Sequence, residues 1–301
     1  MPTNSKFFPL VSIIVNCYNG EDYIEDAVKS ILSQTYKNFE VIFWDNQSND
    51  QSAYIYKSFK DRRLKYYYAK KHSSLYEARN LAIKKSKGKF IAFLDIDDLW
   101  TKDKLSLQVK KFRDKKIGLV YSNYYILNQF TGSKKLFYPK KLPNGFIFKE
   151  LLKEYFIGIC TVIIKKNVFK KNKKLFNIKY NIIGDFDFFT RISKKIYFSS
   201  INLPLSIYRI HNKSLSNKNY EMHINELKYW VKNQKTFDNH CLSYVKEKII
   251  YMDILLSLLK KKKSIFLIKR ILKIKSLKKK TKLFIFLLLP NLILKKLKES
   301  F

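Results

Sequence analysis

The chain has 301 residues, 46% of them hydrophobic, which is enough for one large α/β domain with an appendage and a sizeable core. Three scattered cysteines, Cys17, Cys160 and Cys241, exclude a disulfide framework and a zinc-type spacing, and read as reduced, cytoplasmic thiols. The formal net charge of +37 points to phosphate-rich partners or an anionic membrane on one reading, and to a Lys-, Ile- and Asn-heavy compositional bias on the other. Residues 246–301 carry net +14 over 56 positions, against +23 over the other 245, so bias alone does not account for the tail.

Phe7 to Val15 is apolar behind Lys6, but no small-residue cleavage site follows, so it reads as a first strand rather than a signal peptide. Its β-branched part, Leu10 to Val15, predicts a buried strand, punctuated by Asn16-Cys17-Tyr18-Asn19-Gly20. Apolar residues at Tyr23, Ile24, Ala27, Val28, Ile31 and Leu32 form a helical stripe with Asn19 as its N-cap. A second strand, Phe39 to Trp44, ends at Asp45-Asn46-Gln47-Ser48. A helix over Ser52–Phe59, a strand over Leu64–Tyr68 and a helix over Leu75–Lys85 containing Ala78-Arg79-Asn80 follow.

Phe90-Ile91-Ala92-Phe93-Leu94, bounded by Gly88, predicts a fully buried parallel strand. Asp95, Asp97 and Asp98 come where that strand emerges at its carboxyl end, the edge at which open α/β sheets bind ligands. Carboxylates this close repel unless a cation lies between them, and a hard divalent ion shared with substrate phosphates fits. The bland alternative is a polar turn, with Asp98 capping the helix that follows. The β-α alternation predicts a Rossmann-like, mostly parallel sheet with right-handed crossovers, and the absence of GxGxxG after the first strand removes the dinucleotide fingerprint.

After Trp100 the patterning loosens. It predicts a helix over Lys102–Arg113, a strand over Leu119–Leu127 running into a hairpin at Thr131-Gly132, a strand over Cys160–Lys165, a helix within Ile182–Ser193 and a late strand over Ser206–Ile210. From about Asn217 the chain reads as helical and lysine-rich. This divides it into residues 1–216, with a second half from 101 that builds the site for a second substrate, and a basic helical extension over 217–301. The apolar run Leu283 to Leu294 is too short and interrupted to span a bilayer. Lysine clusters at 260–263 and 278–280, interleaved with Ile and Leu, fit helices lying on an anionic membrane surface; the alternative is a helical cap with solvated lysines.

Five stretches together resemble the family 2 glycosyltransferases, in that family's order and spacing: Val11 to Asn19, Ser30-Ile31-Leu32-Ser33-Gln34-Thr35-Tyr36, Asp45 to Ser48, Ala78-Arg79-Asn80 and Phe93 to Trp100. The resemblance covers roughly residues 9–215. It implies a GT-A fold whose nucleotide-sugar-binding half is about 9–100 and whose acceptor half is 101–216. It also implies a nucleotide-sugar donor, a divalent metal (Mn2+ or Mg2+) and inversion at the anomeric carbon. By carry-over, Cys17, Tyr18 and Asn19 belong to the donor site and Asp45 accepts the N3–H of uracil or thymine. Asp95 binds ribose, Asp97 reaches the metal, and Arg79 supplies positive charge near the diphosphate. Turn aspartate and solvated helix arginine are the bland readings of Asp45 and Arg79.

Gly184-Asp185-Phe186-Asp187 resembles the family's acidic helix start, which assigns the general base to Asp185. The family usually has Glu where this chain has Gly184, so a supporting carboxylate is missing; Asp187 reads as a helix cap or as a competing base. In Tyr208-Arg209-Ile210-His211-Asn212 the resemblance brings His211 toward the metal or diphosphate, against the plainer reading of a polar loop histidine. No Gln-x-x-Arg-Trp appears, which favours non-processive transfer.

The expected acceptor is a saccharide or lipid-linked saccharide in surface-polysaccharide synthesis, and the expected place is the inner face of the cell membrane. A sugar nucleotidyltransferase would need a Gly-rich, Arg-containing loop after the first strand, which Asn16 to Gly20 is not. A nucleic-acid binder is suggested by charge and by 21 Tyr and 24 Phe, but acids ordered at strand ends repel phosphates and no RNA-binding signature appears.

Overall fold

The computed structural model of the chain describes residues 7–171, 175–212, 219–234, 237–260 and 265–289. β1 (Val11–Cys17) and β2 (Phe39–Asp45) are buried along their whole length, as β-branched and aromatic runs in a doubly covered sheet should be. β3 (Leu64–Tyr68) lies at the edge, half-buried, and β4 (Phe90–Phe93) is fully buried. The four pair in parallel in the order β3-β2-β1-β4. Their register sets Cys17 opposite Asp45 and Asp45 opposite Tyr68, so the loops after these strands share one edge.

The crossovers are α1 (Ile24–Leu32), α2 (Ser52–Ser58) and α3 (Leu75–Lys85). α1 buries Ile24, Ala27, Val28 and Ile31, the i, i+3, i+4, i+7 stripe. Asn19 is not its N-cap. The helix starts behind Tyr23, while Asn19 takes a left-handed φ of 54° and spends its Oδ1 on the Asn49 N–H, 2.9 Å away. α3 does have a side-chain cap, Ser74 Oγ accepting from Glu77 N–H.

Beyond β4 the sheet becomes mixed, β3-β2-β1-β4 being followed in space by the strands Ile163–Lys165, Ile117–Asn128, Tyr197–Ile210 and Leu99–Trp100. β5 (Leu99–Trp100) pairs antiparallel with β9 (Tyr197–Ile210), and β6 (Ile117–Asn128) forms the hairpin with β7 (Lys134–Leu136). β8 (Ile163–Lys165) runs antiparallel to both β4 and β6. The helices are α4 (Lys104–Lys111), α5 (Phe148–Lys153), α6 (Lys166–Lys171) and α7 (Gly184–Ile192).

Two elements differ from the patterning. Cys160 lies in a single 3-10 turn, because the Thr161 hydroxyl and N–H both bond the Gly158 carbonyl and wind the chain there. β9 starts nine residues before Ser206, across Asn202-Leu203-Pro204, a stretch whose lack of alternation conceals a strand.

The described residues form two compact units. The first comprises the described residues within 1–127, 133–148 and 155–209; the second comprises those within 128–132, 149–154 and 210–301. The first holds the sheet and its core, centred on Ile13, Val41, Phe43, Phe90 and Ala92. The second contains α8 (Tyr220–Asn233), α9 (Asn239–Leu259), α10 (Ile265–Leu272) and α11 (Leu277–Leu288). It has a core of its own in which Ile254 and Leu258 meet Leu267, Ile271, Leu283 and Phe286. Lysines 278–280 lie in the first turn of α11, whereas 261–263 and the end of the apolar run at 290–294 fall outside the described residues. Among the described residues no helix is long and apolar enough to cross a membrane.

Candidate active site

The loops after β1 and β2 are stitched to each other. Asn19 N–H donates to Ser48 Oγ at 3.1 Å, Gly20 N–H to Ser52 Oγ at 2.9 Å, and Asn49 N–H to Asn19 Oδ1. Asn19 and Gln47 both sit at positive φ, conformations that asparagine tolerates best and that the cross-links hold. Cys17 is buried beneath this junction, and burial pushes its thiol up to about 11, so it packs rather than reacts. Tyr18 is half-exposed, its ring set edge-on to His72 at 4.5 Å.

Asp45 is fully buried at the end of β2. Its Oδ1 accepts the Ser48 N–H at 2.7 Å and its Oδ2 the Tyr66 hydroxyl at 2.6 Å. An ionised carboxylate offers about four acceptor sites, so each oxygen retains one beyond these bonds. Asn46 is fixed by Ser73 and supports the His72 loop.

Arg79 is buried, not solvated. α3 carries its guanidinium under the sheet edge, where it forms an ion pair with Asp95 and lies 5.2 Å from the centre of the Tyr76 ring. Asp95 and Asp97 are half-buried, and Asp98 is buried. Asp98 is not a helix cap. α4 starts behind Asp103, while Asp98 Oδ1 accepts the Arg209 N–H at 3.1 Å and the carboxyl lies beside the Cys160 thiol. Arg209 Nε donates to the Asp97 carbonyl at 3.0 Å, and its guanidinium reaches Asp26 at 3.2 Å. Arg209 thus pins the aspartate turn to β9. Sequence reasoning quoted the motif that contains it but singled out His211, which is buried in the second unit, whereas the aspartates belong to the first.

Among the described residues, no group of three or more His, Cys, Asp and Glu is arranged to hold a metal ion by itself. What the turn provides is three crowded carboxyls: burial, then Asp97, then Asp95 push the Asp98 carboxyl well above the usual carboxylate range, while Asp95 pairs with Arg79. A divalent cation held by one or two of these carboxylates, with donor phosphates completing its shell, fits that donor set.

Asp185 sits in the first turn of α7, half-buried. Its Oδ1 accepts the Phe186 N–H at 2.8 Å and faces the Tyr76 hydroxyl at 3.3 Å, and its Oδ2 accepts the Tyr155 hydroxyl at 2.9 Å. Burial raises the carboxyl; Arg79, the Phe186 N–H and the two tyrosines pull it back down. Asp187 is neither cap nor open base. It is buried, and its Oδ2 accepts from Arg191 Nε at 2.8 Å one turn on, a helical i, i+4 pair. Tyr76 and Tyr155 were invisible to motif reasoning, lying 109 and 30 residues from Asp185.

Residues 12–190 match the family model described as glycosyl transferase family 2. An Escherichia coli protein, the UDP-Glc:α-D-GlcNAc-diphosphoundecaprenol β-1,3-glucosyltransferase WfaP, is 37% identical over 213 residues, 69% of this chain and 80% of its own length. A second E. coli glucosyltransferase of the same description, WfgD, is 32% identical over 214 residues, 70% of this chain and 81% of its own. The mannosyltransferase PcManGT of Pyrobaculum calidifontis, solved with GDP-Man and Mn2+, superposes with a TM-score of 0.63 at 15% identity, covering 98% of this chain and 88% of that one. That likeness establishes the GT-A fold, with its helical C-terminal extension.

Proposed function

The chain belongs to glycosyl transferase family 2 and is a glycosyltransferase; we propose that it moves a sugar, with inversion, from a UDP-sugar to a hydroxyl of a lipid-linked saccharide in bacterial surface-polysaccharide synthesis. The observation that carries this reading is the convergence, in one unit, of the acidic end of β4 with a half-buried carboxylate on α7, joined through Arg79. The two E. coli relatives, named for UDP-glucose and a diphosphoundecaprenol-linked sugar, support the donor and acceptor classes.

Asp185 takes the proton of the acceptor hydroxyl as that oxygen bonds to the anomeric carbon and the bond to the diphosphate breaks on the opposite face. Asp45 accepts the uracil N3–H, the loop of Cys17, Tyr18 and Asn19 bounds the nucleoside, and Asp95 orients the ribose while Arg79 holds it in place. Asp97, with the donor's diphosphate, would hold a divalent cation, Mn2+ or Mg2+, which would supply charge neutralisation at the leaving group. Transfer is non-processive, one sugar or few per encounter.

The second unit works at the inner face of the membrane. Phe266, Leu277 and Leu288 are 71%, 73% and 83% exposed, on helices that also carry Lys269 and Lys278 to Lys280.

A panel of nucleotides and nucleotide-sugars, read by thermal shift with and without Mn2+, tests the donor. UDP should stabilise ahead of dTDP and GDP, by about 2.7 kcal/mol at 100 times its Kd. Equal stabilisation by GDP would count against the uracil contact, and UDP binding indifferent to Mn2+ would count against the metal.

A further inference from the structure

We propose that Tyr76 and Tyr155 are positioning residues that grip the Asp185 carboxylate, one at each oxygen, and aim it at the acceptor hydroxyl. The inference rests on the assignment of the base to Asp185.

The grip is built from three separate parts of the first unit. Tyr155, just after α5, donates to Oδ2 at 2.9 Å with its ring set edge-on to Phe186 at 5.4 Å. Tyr76, in the first turn of α3, is fully enclosed. Its hydroxyl proton is shared between the Ile182 carbonyl at 2.9 Å and Asp185 Oδ1 at 3.3 Å. The Tyr76 ring is not free to turn away, because Phe176 at 5.5 Å and the Arg79 guanidinium confine it.

Gly184 makes the arrangement possible. A Cβ at that position would lie 2.5 Å from the Tyr76 ring, closer than side chains approach. The glycine that replaces the family's usual Glu is therefore filled by an aromatic ring from α3, and the missing carboxylate's place beside the base is taken by a phenol. A second acid there would raise the pKa of Asp185 by like charge; a phenol O–H lowers it by donating to the ionised form.

The titratable and charged groups facing Asp185 are Tyr76 and Arg79 from α3, Tyr155 after α5 and Tyr124 from β6, with Asp95 opposing it through Arg79. Arg79 and the two bonded phenols favour the carboxylate, and the Asp95 charge offsets part of that. A hydrogen bond to an ionised group contributes enough to move a pKa by about one unit. Removing a donor from the ionised form raises the pKa, so less of the base is ready at a given pH.

The test is carboxyl titration of the full chain by 13C NMR, with the Asp185 signal assigned by its loss in Asp185→Asn. Tyr155→Phe should raise the Asp185 midpoint by about one pH unit. Tyr76→Phe should raise it by less, since that proton is shared with Ile182. Both variants keep their rings, so melting temperatures should stay close to wild type. Midpoints unchanged in both variants would overturn the proposal. UDP-glucose transfer to α-D-GlcNAc-diphosphoundecaprenol, the pair named for the relatives, gives the second readout: the acid limb of kcat should move with the midpoint while the donor KM holds. The two readings fail separately, since titration reports the grip directly, and only wild-type transfer by Asp185→Asn would remove the base.

Discussion

Arg79 is buried against the carboxylate of Asp95 while its charge also reaches Asp185, so one side chain holds the acid at the end of β4 and tunes the acid at the start of α7. Asp95 remains partly exposed, so the pair is open to a ligand on one side.

Replacing Arg79 should therefore damage two functions at once. Arg79→Met leaves Asp95 unpaired and should cost about 2 kcal/mol, a figure for a lost bond to a charged group at a partly wetted site. Arg79→Lys keeps the charge but loses the planar fork, and should recover only part of that. Denaturant unfolding of the three proteins checks the ordering, and UDP affinity should fall in step with it.

For Asp185→Asn, transfer should drop by about 10²–10⁴-fold with donor affinity unchanged. Its stability should behave in the opposite sense. Burial raises the folded-state carboxyl above its ordinary value, so the ionised form costs stability, and that cost is absent below the unfolded pKa and complete above the folded one. Relative to wild type, the Asn variant should therefore gain stability as pH rises through that window and be at least as stable at pH 7. Paired melts at pH 3.5 and pH 7 read the sign directly.

Asp97 and Asp98, although adjacent, should respond differently. Asp97→Asn should remove Mn2+-dependent turnover and leave the melting temperature near wild type, because its side chain is half-exposed. Asp98→Asn keeps an oxygen for the Arg209 N–H and should be mild, whereas Asp98→Ala leaves that donor unpaired and should cost about 1–3 kcal/mol. Equal melting temperatures for the Asn and Ala forms of position 98 would show that the Arg209 bond contributes nothing.

Membrane association is best tested by point changes. Cutting the chain at residue 260 would strip Leu267, Ile271, Leu283 and Phe286 from the core that covers Ile254 and Leu258, so the truncated form would report unfolding as well. Phe266→Ser with Leu277→Ser and Leu288→Ser changes only exposed side chains. The triple variant should lose most of its salt-sensitive binding to anionic vesicles while UDP binding is unchanged. Retained vesicle binding would mean that these helices do not touch the membrane.

Periodicity and local chemistry determined a good deal by themselves. Strand and helix alternation up to Trp100 was legible because buried parallel strands and amphipathic crossovers have strong, short-range patterns; Leu64–Tyr68 and Leu75–Lys85 agree residue for residue with the structure. The family, too, was legible, since its motifs lie within short stretches at strand ends. What patterning could not supply was the partner of each polar side chain. Asn19 and Asp98 have the composition of caps, yet Asn19 bonds the neighbouring loop and Asp98 is bonded by Arg209 from a strand more than a hundred residues away. Likewise, nothing around position 184 announces Tyr76. A glycine is silent about what fills the space it leaves, and only the packing of α3 against the start of α7 decided that a phenol would meet the carboxylate there.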